Sequence, residues 1–192
     1  MNDKNSDWIY GVQEQQVGST LYFIDATNPK QIKKGSSRDD SAAKVVFTSE
    51  TNGHIGSFVV NGTYMYVVTR RDSSTSYSKF QRIVVSSGSK AKLWDLYSAK
   101  YDAVQFAVKK NNDTKSGFYL GLQGTDHKYE PAAFYATNYT QQWIKPFSGV
   151  SKDAVMKGIA PSKDATKLLS IYDNSGSTVE GSIVLVTPTA TP

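Results

Sequence analysis

Apolar residues along this chain come in short runs broken by Gly, Asn, Asp and Ser, and almost nowhere at the three-and-four spacing of an amphipathic helix. Residues 95–104 and 152–156 can each be drawn as a turn of helix, but neither reaches two clean turns. The pattern therefore predicts strands throughout, with a helical share below about 10% against the usual third. The strands fall into four groups. The first holds 8–12, 21–25, 31–34 and 44–48, and the second 56–60, 65–70, 80–86 and 92–96. The third holds 104–108, 118–122, 132–136 and 142–145. The fourth has only 155–159, 168–172 and 182–187.

The second strand of each group carries the clearest echo. Gly18-Ser19-Thr20-Leu21-Tyr22-Phe23-Ile24 is matched by Gly62-Thr63-Tyr64-Met65-Tyr66-Val67-Val68, and more loosely by the stretches that begin at Gly117 and Ala165. Aligning Tyr22, Tyr66, Leu120 and Leu169 gives steps of 44, 54 and 49 residues by subtraction. A period of about 40–50 residues with four strands each is the signature of β-propeller blades. The expected fold is thus all-β and β-propeller-like. One domain spans 1–187, with repeats at 7–53, 54–101, 102–152 and 153–187 and a Thr/Pro-rich tail at 188–192. A pair of β-sandwiches is the competing architecture, since it too places a hairpin every dozen residues. The first strands at 56–60 and 104–108 are apolar enough to be buried on both faces, whereas 92–96 reads as a polar outer strand. The incomplete last group implies an open sheet edge, to be covered by a terminus, by a homodimer or by further blades of a longer parent chain.

One short segment adds a family resemblance. Tyr172-Asp173-Asn174-Ser175-Gly176-Ser177-Thr178-Val179 resembles the Ser-x-Asp-x-Gly-x-Thr-Trp hairpin, the Asp-box of sialidase-like propellers. Gly176 and Thr178 match, Asn174 stands where the Asp belongs, and Tyr172 and Val179 replace the Ser and Trp. Residues 70–77, with Asp72 and Tyr77, match less well. In that family the box is a structural turn, so the resemblance implies a fold and no activity. Sialidase chemistry would need an arginine triad, a tyrosine nucleophile and an acidic partner. The arginines here are Arg38, Arg70, Arg71 and Arg82, two of them adjacent, and that activity is not expected.

Composition narrows the function further. Among 192 residues, 39% are hydrophobic and 12% aromatic, which is neither a disordered nor a membrane-inserted chain, and no apolar run approaches the length of a membrane span. Cysteine is absent, which removes disulfides, thiolate metal sites and thiol catalysis. Only His54 and His127 are present, too far apart in sequence for metal-ligand spacing. No Gly-x-Ser-x-Gly elbow and no phosphate loop occurs, so neither catalytic residues nor a cofactor nor a metal is expected. The net charge of +5 is spread through the pairs Lys33-Lys34, Arg70-Arg71 and Lys109-Lys110, which fall at different strand positions and do not form a nucleic-acid stripe.

The expected function is a non-catalytic recognition or scaffold domain of a larger surface or secreted protein, with protein or glycan as ligand. The alternative is a fragment of a propeller-type hydrolase or lyase. An extracellular or cell-surface setting is suggested by the Thr/Pro tail and by sequons at Asn61, Asn112 and Asn138. Trp94, Trp143 and Tyr129 are candidate rim aromatics. Ligand contact is expected on the connections from second to third strands and from one group to the next, because strand interiors are committed to packing. That set holds the candidate ligand-binding residues His54, Arg71, Asp72, Asp126, His127 and Asp173.

Overall fold

The computed structural model describes residues 8–49, 53–71, 79–95, 101–109, 118–124, 132–134, 141–143, 155–163, 167–173 and 182–186. Every regular element among the described residues is a strand. The protein is all-β and built of antiparallel sheets. The chain divides into two compact units, one of residues 11–99 and one of residues 1–10 with 100–192. The first strand, β1 (Trp8–Tyr10), belongs to the second of these and is described with it.

Residues 11–99 make two four-stranded meanders. The first runs β2 (Glu14–Val17), β3 (Thr20–Ile24), β4 (Gln31–Gly35), β5 (Lys44–Thr48). The second runs β6 (Gly53–Asn61), β7 (Tyr64–Arg71), β8 (Lys79–Val84), β9 (Lys90–Asp95). Their opening hairpins turn through Gly18 at φ 59° and Gly62 at φ 61°, the left-handed backbone that a two-residue hairpin turn requires and side chains oppose. The two sheets share one core. Tyr22, Ile32 and Phe47 of the first pack with Ile55, Phe58, Val60, Met65, Val67 and Ile83 of the second. Period-two alternation is what delivers these side chains to one layer.

A seam of hydrogen bonds joins the two sheets along the edge of β6. Val12 and Phe58 exchange both backbone bonds, at 2.9 and 2.8 Å. The Gln15 amide then straps Val60: its Oε1 accepts from the Val60 N–H at 2.7 Å and its Nε2 donates to the Val60 carbonyl at 3.0 Å. At the far end of the seam the Ile55 N–H donates to the Pro29 carbonyl at 2.8 Å. An edge strand that would otherwise expose its backbone groups is thereby closed by its own chain.

In the other unit the sheet order is β1, β10 (Tyr101–Lys109), β11 (Phe118–Gly124), β12 (Ala132–Phe134), β13 (Gln141–Trp143). A three-stranded sheet follows, β14 (Val155–Pro161), β15 (Leu168–Asp173), β16 (Ser182–Val186). Here β1 covers the edge of β10, with Trp8 opposite Lys109. The Trp8 ring is buried 5.3 Å from the Tyr119 ring, and its indole N–H donates to the Ser162 carbonyl at 2.8 Å. The Gln105 Oε1 accepts from the Ile159 N–H at 2.8 Å, a second glutamine strap between neighbouring first strands. Gly158 makes room for it, because a Cβ there would meet the same Oε1 at 2.9 Å.

Each of β6, β10 and β14 carries one bulge, at Gly56, Val104 and Lys157. Two residues past the bulge come Phe58, Phe106 and Ile159, all buried. Counted from these bulges, Tyr66 opposite Val59 corresponds to Tyr119 opposite Ala107. In the third group of strands the matching position is therefore Tyr119, one residue earlier than the Leu120 alignment expected from sequence.

Two further expectations are corrected. Residues 8–12 do not open the first sheet: Trp8–Tyr10 pairs with β10, and Val12 makes an isolated bridge to Phe58. The strand that opens the first sheet is Glu14–Val17, whose polar sequence offers no alternation to read. Its place is set by pairing with β3 and by the Gln15 strap rather than by burial of apolar faces. Asn61, expected at an accessible turn, is buried at 7% exposure, which is poor access for glycan attachment.

Candidate functional site

The residues expected to bind ligand are brought together only in part. His54 is half-buried at the start of β6, opposite Arg70, while Gly53 beside it pairs with Arg71. His54 and Arg71 thus share one end of the second sheet. Asp173 ends β15, opposite Val155, in the other unit. Asp72, Asp126 and His127 lie outside the described residues, as do the Asp-box positions 174–179 and Tyr129. For Arg71, Trp94, Trp143 and Asp173 only the strand is described. Among the described residues no group of three His, Asp or Glu is placed to hold a metal ion.

The same end of the first sheet is fixed by a charged turn. The Asp25 carboxylate lies 2.6 Å from Lys33 Nζ and accepts from the Thr27 N–H at 3.0 Å. The Lys33 contact, followed by the Thr27 backbone bond, holds its pKa at about 2, below the ordinary 3.8. Asp25 stays ionised and organises the β3–β4 turn, including the Pro29 carbonyl that receives Ile55. This is a structural use of an acid.

A different arrangement stands between β5 and the β8–β9 connection. Both walls belong to one unit and enclose a cleft of about 250 Å³, lined by Val45, Val46, Phe47, Thr48, Gln81, Ser87, Gly88 and Lys90. Its shape follows from two local features. Val46 is the bulged residue of β5, between the Ile32–Phe47 and Lys33–Val45 pairs, so it turns toward the core beside Phe47. Gly88 sits at φ 68°, and a Cβ on it would stand 2.6 Å from the Val46 carbonyl oxygen. Only glycine brings the β8–β9 turn this close to β5.

Gln81 forms the floor. On β8 it alternates with Phe80 and Arg82 and shares its face with Ile83, a fully buried core residue. Apolar patterning would continue the core at this position. Instead it carries an amide with 4% exposure whose Oε1 has no hydrogen-bond partner among the described residues. A buried polar atom left in that condition costs about 1–3 kcal/mol. Its neighbour Arg82, also buried, lies on the opposite face with its guanidinium 4.6 Å above the Tyr64 ring. Thr48, Ser87 and Lys90 are exposed and ring the mouth, and Val45 at 47% exposure adds an apolar lip. Sequence reasoning passed over this site, although an amide two residues before Ile83 in an otherwise buried strand was a signal.

The fold and this cleft define the chain as an all-β protein of packed antiparallel sheets with a polar cleft between two of them. No family model and no curated protein matches the chain. Among solved structures it is similar to one from an analysis of two prolyl endopeptidases, at 10% identity and a TM-score of 0.49, covering 88% of this chain and 25% of that one. It is also similar to an uncharacterized protein from Listeria monocytogenes, at 10% identity and a TM-score of 0.46, covering 97% of this chain and 52% of that one. The chain thus spans a quarter of one of these proteins and about half of the other.

Proposed function

We propose that this chain is a recognition domain with propeller-like repeats, part of a larger extracellular or cell-surface protein, and that its ligand is a protein or a glycan. The observation that supports this reading is the seam. First strands β6 and β10 are buried at Phe58, Val59, Val60 and at Phe106, Ala107, Val108, and glutamine straps tie them to their neighbours. With strand interiors given over to packing, contact with a partner falls to the connections and to the clefts between sheets. His54 and Arg71, at one end of the second sheet, belong to the proposed contact face.

The test is a screen of the purified chain on a glycan array and against a library of secreted proteins, repeated with His54→Ala and Arg71→Ala. The reading expects a saturable partner whose binding falls at least fivefold in one of the variants or in a cleft variant. An empty result in both screens removes it.

A further inference from the structure

We propose that β16 is a docking edge for a second copy of this chain, which adds its own β16 antiparallel and continues the sheet across a two-fold axis at Val184. The proposal concerns assembly and stands apart from the recognition reading.

The outer edges of the sheets are not built alike. β5, outermost in the first sheet, opens on Lys44, is bulged at Val46 and has the Gly88 turn lodged against the Val46 carbonyl. β9 carries Lys90, Lys92 and Asp95, and β13 is only three residues long. Charges, bulges and short length are the devices that keep a strand edge from pairing with another chain. β16 has none of them. Its sequence, Ser182-Ile183-Val184-Leu185-Val186, is uncharged and free of proline, and it pairs with 168–172 without a bulge. It also ends a sheet of three strands among the described residues, where the other sheets have four or five. The opposite edge of that sheet, β14, is held by the Gln105 strap at Ile159.

Exposed apolar surface lies on the same sheet. Ile171 on β15 is 40% exposed, and its register partners are Gly158 on one side and Ile183 on the other. Gly158 has no side chain to cover it. The half-buried Leu169 stands likewise between Ala160 and Leu185. Period-two alternation puts positions 169, 171, 183 and 185 on one face, so an apolar row runs out to the β16 edge.

Self-pairing suits this strand. With Val184 opposite its own copy, Ile183 meets the partner's Leu185, Ser182 meets the partner's Val186, and all five residues pair. The same register keeps the 183/185 face of one copy level with that of the other, as an isologous contact requires. Branched apolar residues facing one another are stabilising cross-strand pairs, and no charge of one copy meets a like charge of the other. A junction of five residues a side is small, below about 1,200 Å², so the dimer is weak and reversible.

The test is sedimentation velocity of the full chain from about 5 to about 500 μM, a range that brackets weak association. The wild type should pass reversibly from monomer to dimer as concentration rises. Ile183→Lys/Leu185→Lys sets lysine opposite lysine at both 183–185 pairs of the dimer and should weaken it by about tenfold. Ile183→Lys/Leu185→Glu places as many charges on each chain but sets lysine opposite glutamate, and should hold the dimer within about threefold of the wild type. Amide hydrogen exchange reads the same edge without any substitution. Those amides of 182–186 that exchange freely in dilute protein should slow at high concentration. A wild type that stays monomeric throughout overturns the proposal. So does the absence of any difference between the two folded variants, or a dimer whose 182–186 amides exchange as they do in the monomer.

Discussion

Two glutamines in residues 11–99 meet the same sheets in opposite ways. Gln15, on the polar strand β2, uses both ends of its amide to close the backbone of Val60. Gln81, on the interior strand β8, is the more buried, yet its Oε1 has no partner among the described residues. An amide on the seam is a strap. The amide at the floor of the cleft makes no such bond from its Oε1. Gln105, which holds Ile159 across a neighbouring pair of first strands, falls on the side of Gln15.

The contrast is broken most severely at the wall of the cleft. Gly88→Ala places a side chain on left-handed backbone and drives its Cβ to 2.6 Å from the Val46 carbonyl oxygen. The two penalties together are about 3 kcal/mol. Chemical denaturation should register that loss. Gly18→Ala makes a control, since its φ is 59° but a Cβ there meets nothing within 4 Å. It should cost only the backbone share, about 1–2 kcal/mol.

Gln15→Leu comes next. It leaves both the N–H and the carbonyl of Val60 without their partner at a largely buried position, a loss of about 2 kcal/mol in the same measurement. Gln105→Leu removes one bond and should cost about half as much.

Acid sharpens the comparison from the turn end of the first sheet. The folded pKa of Asp25, about 2, lies below its ordinary 3.8. Its contribution is therefore complete above about pH 4 and is lost as pH falls through 2. That difference corresponds to about 2 kcal/mol. An acid titration of stability should show this loss in the wild type and a shallower one in Asp25→Asn.

What the sequence disclosed and what it withheld divide along physical lines. The grouping of strands was legible because apolar alternation and the turn glycines at 18 and 62 are local signals. The location of Trp8 was not, because its pairing partner Lys109 and its acceptor Ser162 are remote in the chain, and nothing near Trp8 names them. Glu14–Val17 went unread as a strand for the converse reason: its order comes from pairing and one strap. Of the candidate site residues, His54 and Arg71 lie at one end of the second sheet, at the open ends of the same hairpin. The cleft escaped notice because Gln81 is polar, and polarity alone reads as exposure. Its burial appears only once Ile83 and the bulged Val46 fix which face of β8 meets β5.

The central claim, that Gln15 holds the fold while Gln81 adds no such bond, is tested most directly by unfolding Gln15→Leu and Gln81→Leu side by side in denaturant. Gln81→Leu removes an unpartnered buried amide and continues the apolar face of Ile83, so its stability should match or exceed the wild type within about 1 kcal/mol. Gln15→Leu should fall by about 2 kcal/mol in the same experiment. Equal losses in the two variants would contradict the account, because they would make Gln81 a structural strap like Gln15.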